Sequence, residues 1–118
     1  MKITRIYTGD DGESHFEDVQ IPLKSFGPGG LLSEPVAATS VIFRETESNY
    51  DLDFHPAPRR QYVVNLKGGV ELETGSGDRR ILGPGEILLA EDTTGRGHKS
   101  RAVDSEPREC LFIPLADE

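Results

Sequence analysis

Thirteen glycines and eight prolines cut this 118-residue chain into short pieces. No stretch holds a 3.6-residue apolar period beyond about two turns, so the predicted helix content is low. Many short β-prone pieces with turn signals between them predict an all-β sandwich or barrel. The pieces fall at residues 2–7, 14–21, 36–45, 52–55, 61–66, 70–74, 81 onward, 86–91, 98–103 and 110–115. Phe26-Gly-Pro-Gly-Gly and Thr94-Gly-Arg-Gly read as loops, and Ser76-Gly77-Asp78 as a hairpin turn.

The length suits one domain, residues 1–118, large enough to bury a core without disulfide staples. Within it, residues 1–35 are expected to form N-terminal strands or an arm, and residues 36–115 the barrel. The single cysteine, Cys110, lies in the apolar stretch Cys110-Leu-Phe-Ile and reads as a core thiol. That usage fits a reducing cytoplasm. Met-Lys-Ile-Thr-Arg-Ile-Tyr lacks the apolar segment of a signal peptide, and no run approaches the ~20 apolar residues that span a bilayer. The net charge of −8 argues against nucleic acid as a partner, because phosphates repel such a surface. Arg59-Arg60 and Arg79-Arg80 still offer local sites for a small anion.

Alternation places function on one strand in particular. In Gln61-Tyr-Val-Val-Asn-Leu66, one face carries Gln61, Val63 and Asn65, and the other Tyr62, Val64 and Leu66. The mixed face suits a pocket. The apolar face needs cover by a second sheet or a second copy, and a homodimer is expected from it. Arg44 and Glu45 lie on opposite faces of their strand, so at most one points inward. His98, Ser100 and Ala102 share a face. Arg44, Glu45, Asn65 and Ser100 are therefore candidate substrate-binding residues. Asp92, Thr93 and Thr94 are candidates for flanking the pocket mouth. Glu71 and Glu73 alternate with Val70 and Leu72 and read as a solvent face.

Only three histidines exist, His15, His55 and His98. His55 ends one piece, Gln61 opens the next and His98 opens a later one, so antiparallel strands can gather all three ends. His55, Gln61 and His98 are the candidate ligands for a divalent transition metal such as zinc, iron, nickel or manganese. His55 and His98 are also the candidate acid and base. His15 can join them or lie on the N-terminal arm.

The segment from His55 through Gln61 to Gly68 resembles the first motif of the cupin superfamily. His55, Gln61 and Gly68 fall at its first, third and fourth places. The segment Gly83-Pro-Gly-Glu-Ile-Leu-Leu-Ala-Glu-Asp-Thr-Thr-Gly-Arg-Gly-His98 resembles the second motif. There a Pro-Gly turn, an apolar strand and a loop lead to a ligand histidine, matched by His98. The resemblance implies a small single-domain cupin: a double-stranded β-helix, or jelly-roll barrel, with a small-molecule pocket. Ala57 stands at the second histidine's place, Gln61 at the glutamate's and Ala102 at an asparagine's, and the loop before His98 is longer than the motif prescribes. Three functions follow as expectations. They are a metal-assisted enzyme on a small oxygenated substrate, a metal-free acid–base enzyme with Gln61 as orienting partner, and a binding or sensing module without turnover.

Overall fold

A computed structural model of the protein describes residues 1–116. In chain order the strands are β1 (Lys2–Thr8), β2 (Ser14–Gln20), β3 (Lys24–Ser25), β4 (Leu31–Leu32), β5 (Ile42–Thr46) and β6 (Asp51–His55). They continue with β7 (Gln61–Lys67), β8 (Val70–Thr74), β9 (Arg79–Leu82), β10 (Ile87–Glu91), β11 (His98–Ala102) and β12 (Arg108–Pro114). No helix is present among the described residues, and so none long and apolar enough to cross a membrane.

Six strands form one sheet in the order β2-β1-β10-β7-β12-β5, and four form a second in the order β6-β11-β8-β9. Strands β3 and β4 make a separate ribbon around the Gly27–Gly30 loop. The expected barrel takes the form of two facing, open sheets. Among the described residues no ladder joins the edge strands β2 and β5 to β6 and β9. The layers are held instead by side chains. Ile6, Val63, Leu88 and Cys110 of the larger sheet form one buried cluster with Val70, Leu72 and Leu82 of the smaller. Strict alternation builds that interface: Gln61, Val63 and Asn65 are buried on β7, and Val70, Leu72 and Thr74 on β8.

One expected strand is shorter, and of the two forms expected of residues 1–35, strands or an arm, residues 1–20 take the first. Of residues 36–45, only Ile42 onward joins a ladder, against β12. The preceding stretch meets the tail of β12 alone, through an Ala38–Leu115 bridge, so it has no second strand to complete it. Residues 1–20 are no arm. Strand β1 pairs parallel with β10, Ile6 beside Ala90, and β2 closes that edge antiparallel to β1.

The larger sheet's outer face is part apolar and part ionic. Ile3, Tyr62, Val64, Ile87 and Ile113 line a shallow apolar concavity on it. Further along, Glu91 accepts from Arg5 Nε at 2.6 Å and from Arg60 Nε at 2.7 Å. Desolvation alone would raise the Glu91 carboxyl, but the two guanidinium hydrogen bonds outweigh it and hold it below its ordinary value. A carboxyl depressed in the folded state binds its proton more weakly there than when unfolded. Its contribution is therefore complete above the ordinary carboxylate range and is lost as pH falls through it. Urea unfolding across a pH series should show Glu91→Gln less stable than wild type at neutral pH by about 1 kcal/mol or less, with the difference shrinking in acid. A constant difference at all pH values would mean that packing, and not charge, is what Glu91 supplies.

Candidate functional site

A cavity of about 240 Å³ opens between the two sheets. Its middle is apolar, walled by Val63, Val70, Leu72, Leu88 and Phe112. Polar side chains gather at its two ends.

One end is a pair of histidines. His98 opens β11 and His55 ends β6, and the antiparallel register sets them directly opposite each other. Their ring centroids lie 4.8 Å apart, with the planes at 53°. Each ring has its Nδ1 engaged from behind. His55 Nδ1 lies 2.7 Å from the carbonyl of Asp53, which can only accept, so Nδ1 carries the proton. His98 Nδ1 lies 2.6 Å from Asp92 Oδ2. Asp92 is fully buried, and the same Oδ2 accepts from Ser14 Oγ at 2.6 Å. Its other oxygen, Oδ1, is buried with no hydrogen-bond partner among the described residues. A carboxylate so placed holds His98 with its proton on Nδ1 and fixes the orientation of the ring. In both neutral histidines Nε2 then keeps its lone pair, on residues that line the cavity.

Gln61 lines this same end, but its Oε1 already accepts from Arg59 Nη1 at 3.3 Å. No group of three or more His, Cys, Asp or Glu side chains with metal-binding spacing occurs among the described residues.

The other end carries Arg44, Tyr50, Ser100 and Arg108. Arg108 is only 7% exposed, and its Nε donates to Asn65 Oδ1 at 2.7 Å. Asn65 is itself fixed by a bond from Nδ2 to the Leu82 carbonyl. Burial pushes the Arg108 guanidinium below its usual value, and neighbouring Arg44 pushes the same way. Arg44 lies with its Cζ 5.4 Å from the Tyr50 ring centre and 5.1 Å from that of Phe112. Tyr50 Oη and Ser100 Oγ are 3.1 Å apart.

Of the residues singled out in the sequence, His55, Gln61, His98, Arg44 and Ser100 meet in this cavity. Asn65 is buried behind it and positions Arg108. Glu45 is exposed on the opposite face of β5, because alternation sends Arg44 inward. His15 stays on β2, outside the cavity, with Nε2 3.0 Å from Asp11. Sequence reasoning undervalued Asp92 and missed Ser14, which sit far from His55 in sequence. Arg108 had a readable signal: it shares a face with Cys110 and Phe112, but the strand was expected to begin two residues later.

No family model and no curated protein matches the chain. Among solved structures, it is similar to SPY1581, a conserved protein of unknown function from Streptococcus pyogenes, at 15% identity and a TM-score of 0.52, covering 75% of this chain and 71% of that one. Protein NMB1881 from Neisseria meningitidis matches at 14% identity and a TM-score of 0.50, covering 64% of this chain and 74% of that one. At these identities the likeness is one of fold.

Gly97 is what allows the histidines to meet. Its φ is +78°, and a Cβ there would fall on the backbone carbonyl of His55. Gly77 has a similar φ of +92° with open space around it. Gly77→Ala should cost about 1–2 kcal/mol from backbone strain alone. Gly97→Ala should cost roughly 2–4 kcal/mol, because β6 and β11 must also part. Denaturant unfolding of the two variants checks the difference; equal losses would mean that the close approach at His55 costs nothing.

Proposed function

We propose that this chain is a small, cytoplasmic cupin-type protein, its facing sheets a form of the jelly roll, that binds a small polar metabolite and performs metal-free acid–base chemistry on it. The observation that carries this reading is the wholly buried Ser14–Asp92–His98 chain beside a cavity. A carboxylate and a hydroxyl at full burial are costly to keep there unless they fix a third group. That third group is the imidazole whose remaining nitrogen serves the cavity.

His98 acts as the base. Its Nε2 takes a proton from a C–H or O–H of the bound metabolite, and Asp92 stabilises the resulting imidazolium. His55 lies close enough to meet the same molecule on a neighbouring atom. It accepts or returns a proton through Nε2, while the Asp53 carbonyl holds its tautomer. Gln61, its oxygen held by Arg59, offers its amide N–H groups as orienting donors. The apolar middle of the cavity excludes competing water.

The donor set does not suit a resident divalent metal. Two imidazole nitrogens fall short of the three protein ligands usual at catalytic zinc. Ala57 supplies no ligand, and the Gln61 oxygen is shared with a guanidinium. Among the described residues no carboxylate lines the cavity to offset a dication beside Arg44 and Arg108. The homodimer expected from the outer face of β7 belongs to the same reading, through the concavity at Tyr62 and Val64. A monomeric mass in solution would remove it.

The direct experiment is a turnover screen of small carbonyl and sugar-like compounds on tag-free, chelator-treated protein. Activity should survive chelation. His98→Gln should lower the rate by roughly 10²–10⁴-fold. Asp92→Asn should lower it by about 10–100-fold while binding persists. Activity lost on chelation and restored by zinc, iron, nickel or manganese would replace this mechanism with a metal-assisted one. A compound that raises the melting temperature and is never consumed would make the protein a binding module.

A further inference from the structure

The end of the cavity away from the histidines holds an excess of positive charge that no carboxylate among the described residues balances. Arg5, Arg60, Arg79, Arg80, Arg96 and Arg101 each meet a carboxylate. Arg44, Arg108 and the exposed Arg59 meet none among the described residues, in a chain with 21 acidic side chains, and of the three Arg44 and Arg108 line the cavity. The nearest acids in sequence are turned away. Glu45 and Glu109 follow Arg44 and Arg108 directly, stand opposite each other across β5 and β12, and are both exposed on the outer face. Alternation has therefore put both cations in the cavity and both anions outside it.

Buried charges in proteins are paired or serve a ligand. Arg108 is more than nine-tenths buried, and its one hydrogen bond, from Nε to Asn65, leaves the two terminal nitrogens for something else. That free edge is the fork that accepts both oxygens of a planar anion. Arg44 is held over two rings beside it, and Tyr50 and Ser100 add hydroxyls.

We propose that this end is the anion subsite of the cavity and that the ligand is a short-chain organic carboxylate. Its carboxylate sits on Arg108 and Arg44, and the rest of the molecule extends toward His55 and His98. The inference rests on the cavity reading above and adds the substrate class. Dimensions support it. Asn65, behind Arg108, and Gln61, at the histidine end, are four residues apart on β7, or ~13 Å. The cavity volume of about 240 Å³ is below the range of drug-sized ligand pockets, which suits a small ligand. Between the two ends the walls are apolar, which suits a short carbon chain and disfavours a second charge. A carboxylate anchored on Arg108 and Arg44 leaves the far end of the carbon chain directed toward the His98 base.

Calorimetry and thermal shift on the full-length protein test this with short-chain 2-oxo and 2-hydroxy carboxylates, their primary amides, and inorganic phosphate. The carboxylates should bind and raise the melting temperature, and the matched neutral amides should not. Arg108→Met should weaken carboxylate binding roughly ten- to a hundredfold. The same change removes a desolvated charge but leaves the buried Asn65 Oδ1 without its donor, so the stability of the free variant is measured alongside its affinity. Arg44→Gln, at a half-buried position, should also weaken binding, so the test does not depend on the folding of Arg108→Met. Amides that bind as well as the acids, affinity unchanged in both variants, or phosphate binding where every carboxylate fails would each overturn the proposal. Neutral compounds turned over with dependence on His98, without carboxylate affinity, would overturn it while leaving the acid–base reading in place.

Discussion

The contact between Asp92 and His98 organises this protein more than any other. Asp92 follows the last residue of β10, in the six-stranded sheet, and His98 opens β11 in the four-stranded one. The 2.6 Å bond between them is therefore a polar tie across the layers. Ser14 extends the tie to β2, at the edge of the larger sheet. Asp92 also acts through its backbone, where its carbonyl accepts from Ala57 N at 2.9 Å in the loop after His55. One residue thus fixes the ring of His98 and the loop that follows its partner. Among the described residues no ladder closes the two open sheets, so this network and the apolar cluster hold the layers together as strand pairing does in a closed barrel.

Charge is sorted by the same alternation that sorts hydrophobicity. Outward positions carry matched pairs such as Arg5–Glu91–Arg60 and Arg101–Glu71. Inward positions carry the bare guanidinium of Arg108, the half-buried one of Arg44 and two imidazoles. A negatively charged chain has thereby enclosed a positively charged cavity. Solvated pairs on the surface contribute little each, whereas an isolated cation in a low-dielectric space has a large effect on whatever shares that space.

Most of the strands were legible because period-two alternation and glycine punctuation are local signals. Gln61–Lys67 and Val70–Thr74 are examples, and in both the buried face is the one alternation assigns. The meeting of His55 and His98 was legible from the pieces they terminate, His55 closing one and His98 opening another. What lay beyond reach depends on strand order. Nothing local says that β1 runs parallel beside β10, yet that pairing brings Ser14 to Asp92. A lone aspartate before a Thr-Thr-Gly loop looks solvated until the topology buries it. Glu45 and Arg44 are equal candidates in the sequence because alternation alone does not say which face is inner. The answer comes from the β12 register, which sets Arg44 beside buried Cys110.

The two ends of the cavity also explain each other. Burying Arg108 and the Asp92–His98 pair in one small core works against stability, and neither improves apolar packing. Each arrangement alone has structural readings: a guanidinium can brace Asn65, and a carboxylate can brace a histidine. Together they place fixed positive charge and a fixed base at opposite ends of one apolar passage. On the proposed reading, positive charge at one end anchors an anion. The base at the other end then meets the far part of the same molecule. The separation of the two also limits repulsion when His98 becomes protonated, since the arginines stand away from the new cation and the Asp92 carboxylate stands against it. That separation is what the proposed reading uses: an anchor for an anion at one end and a base for the rest of the molecule at the other.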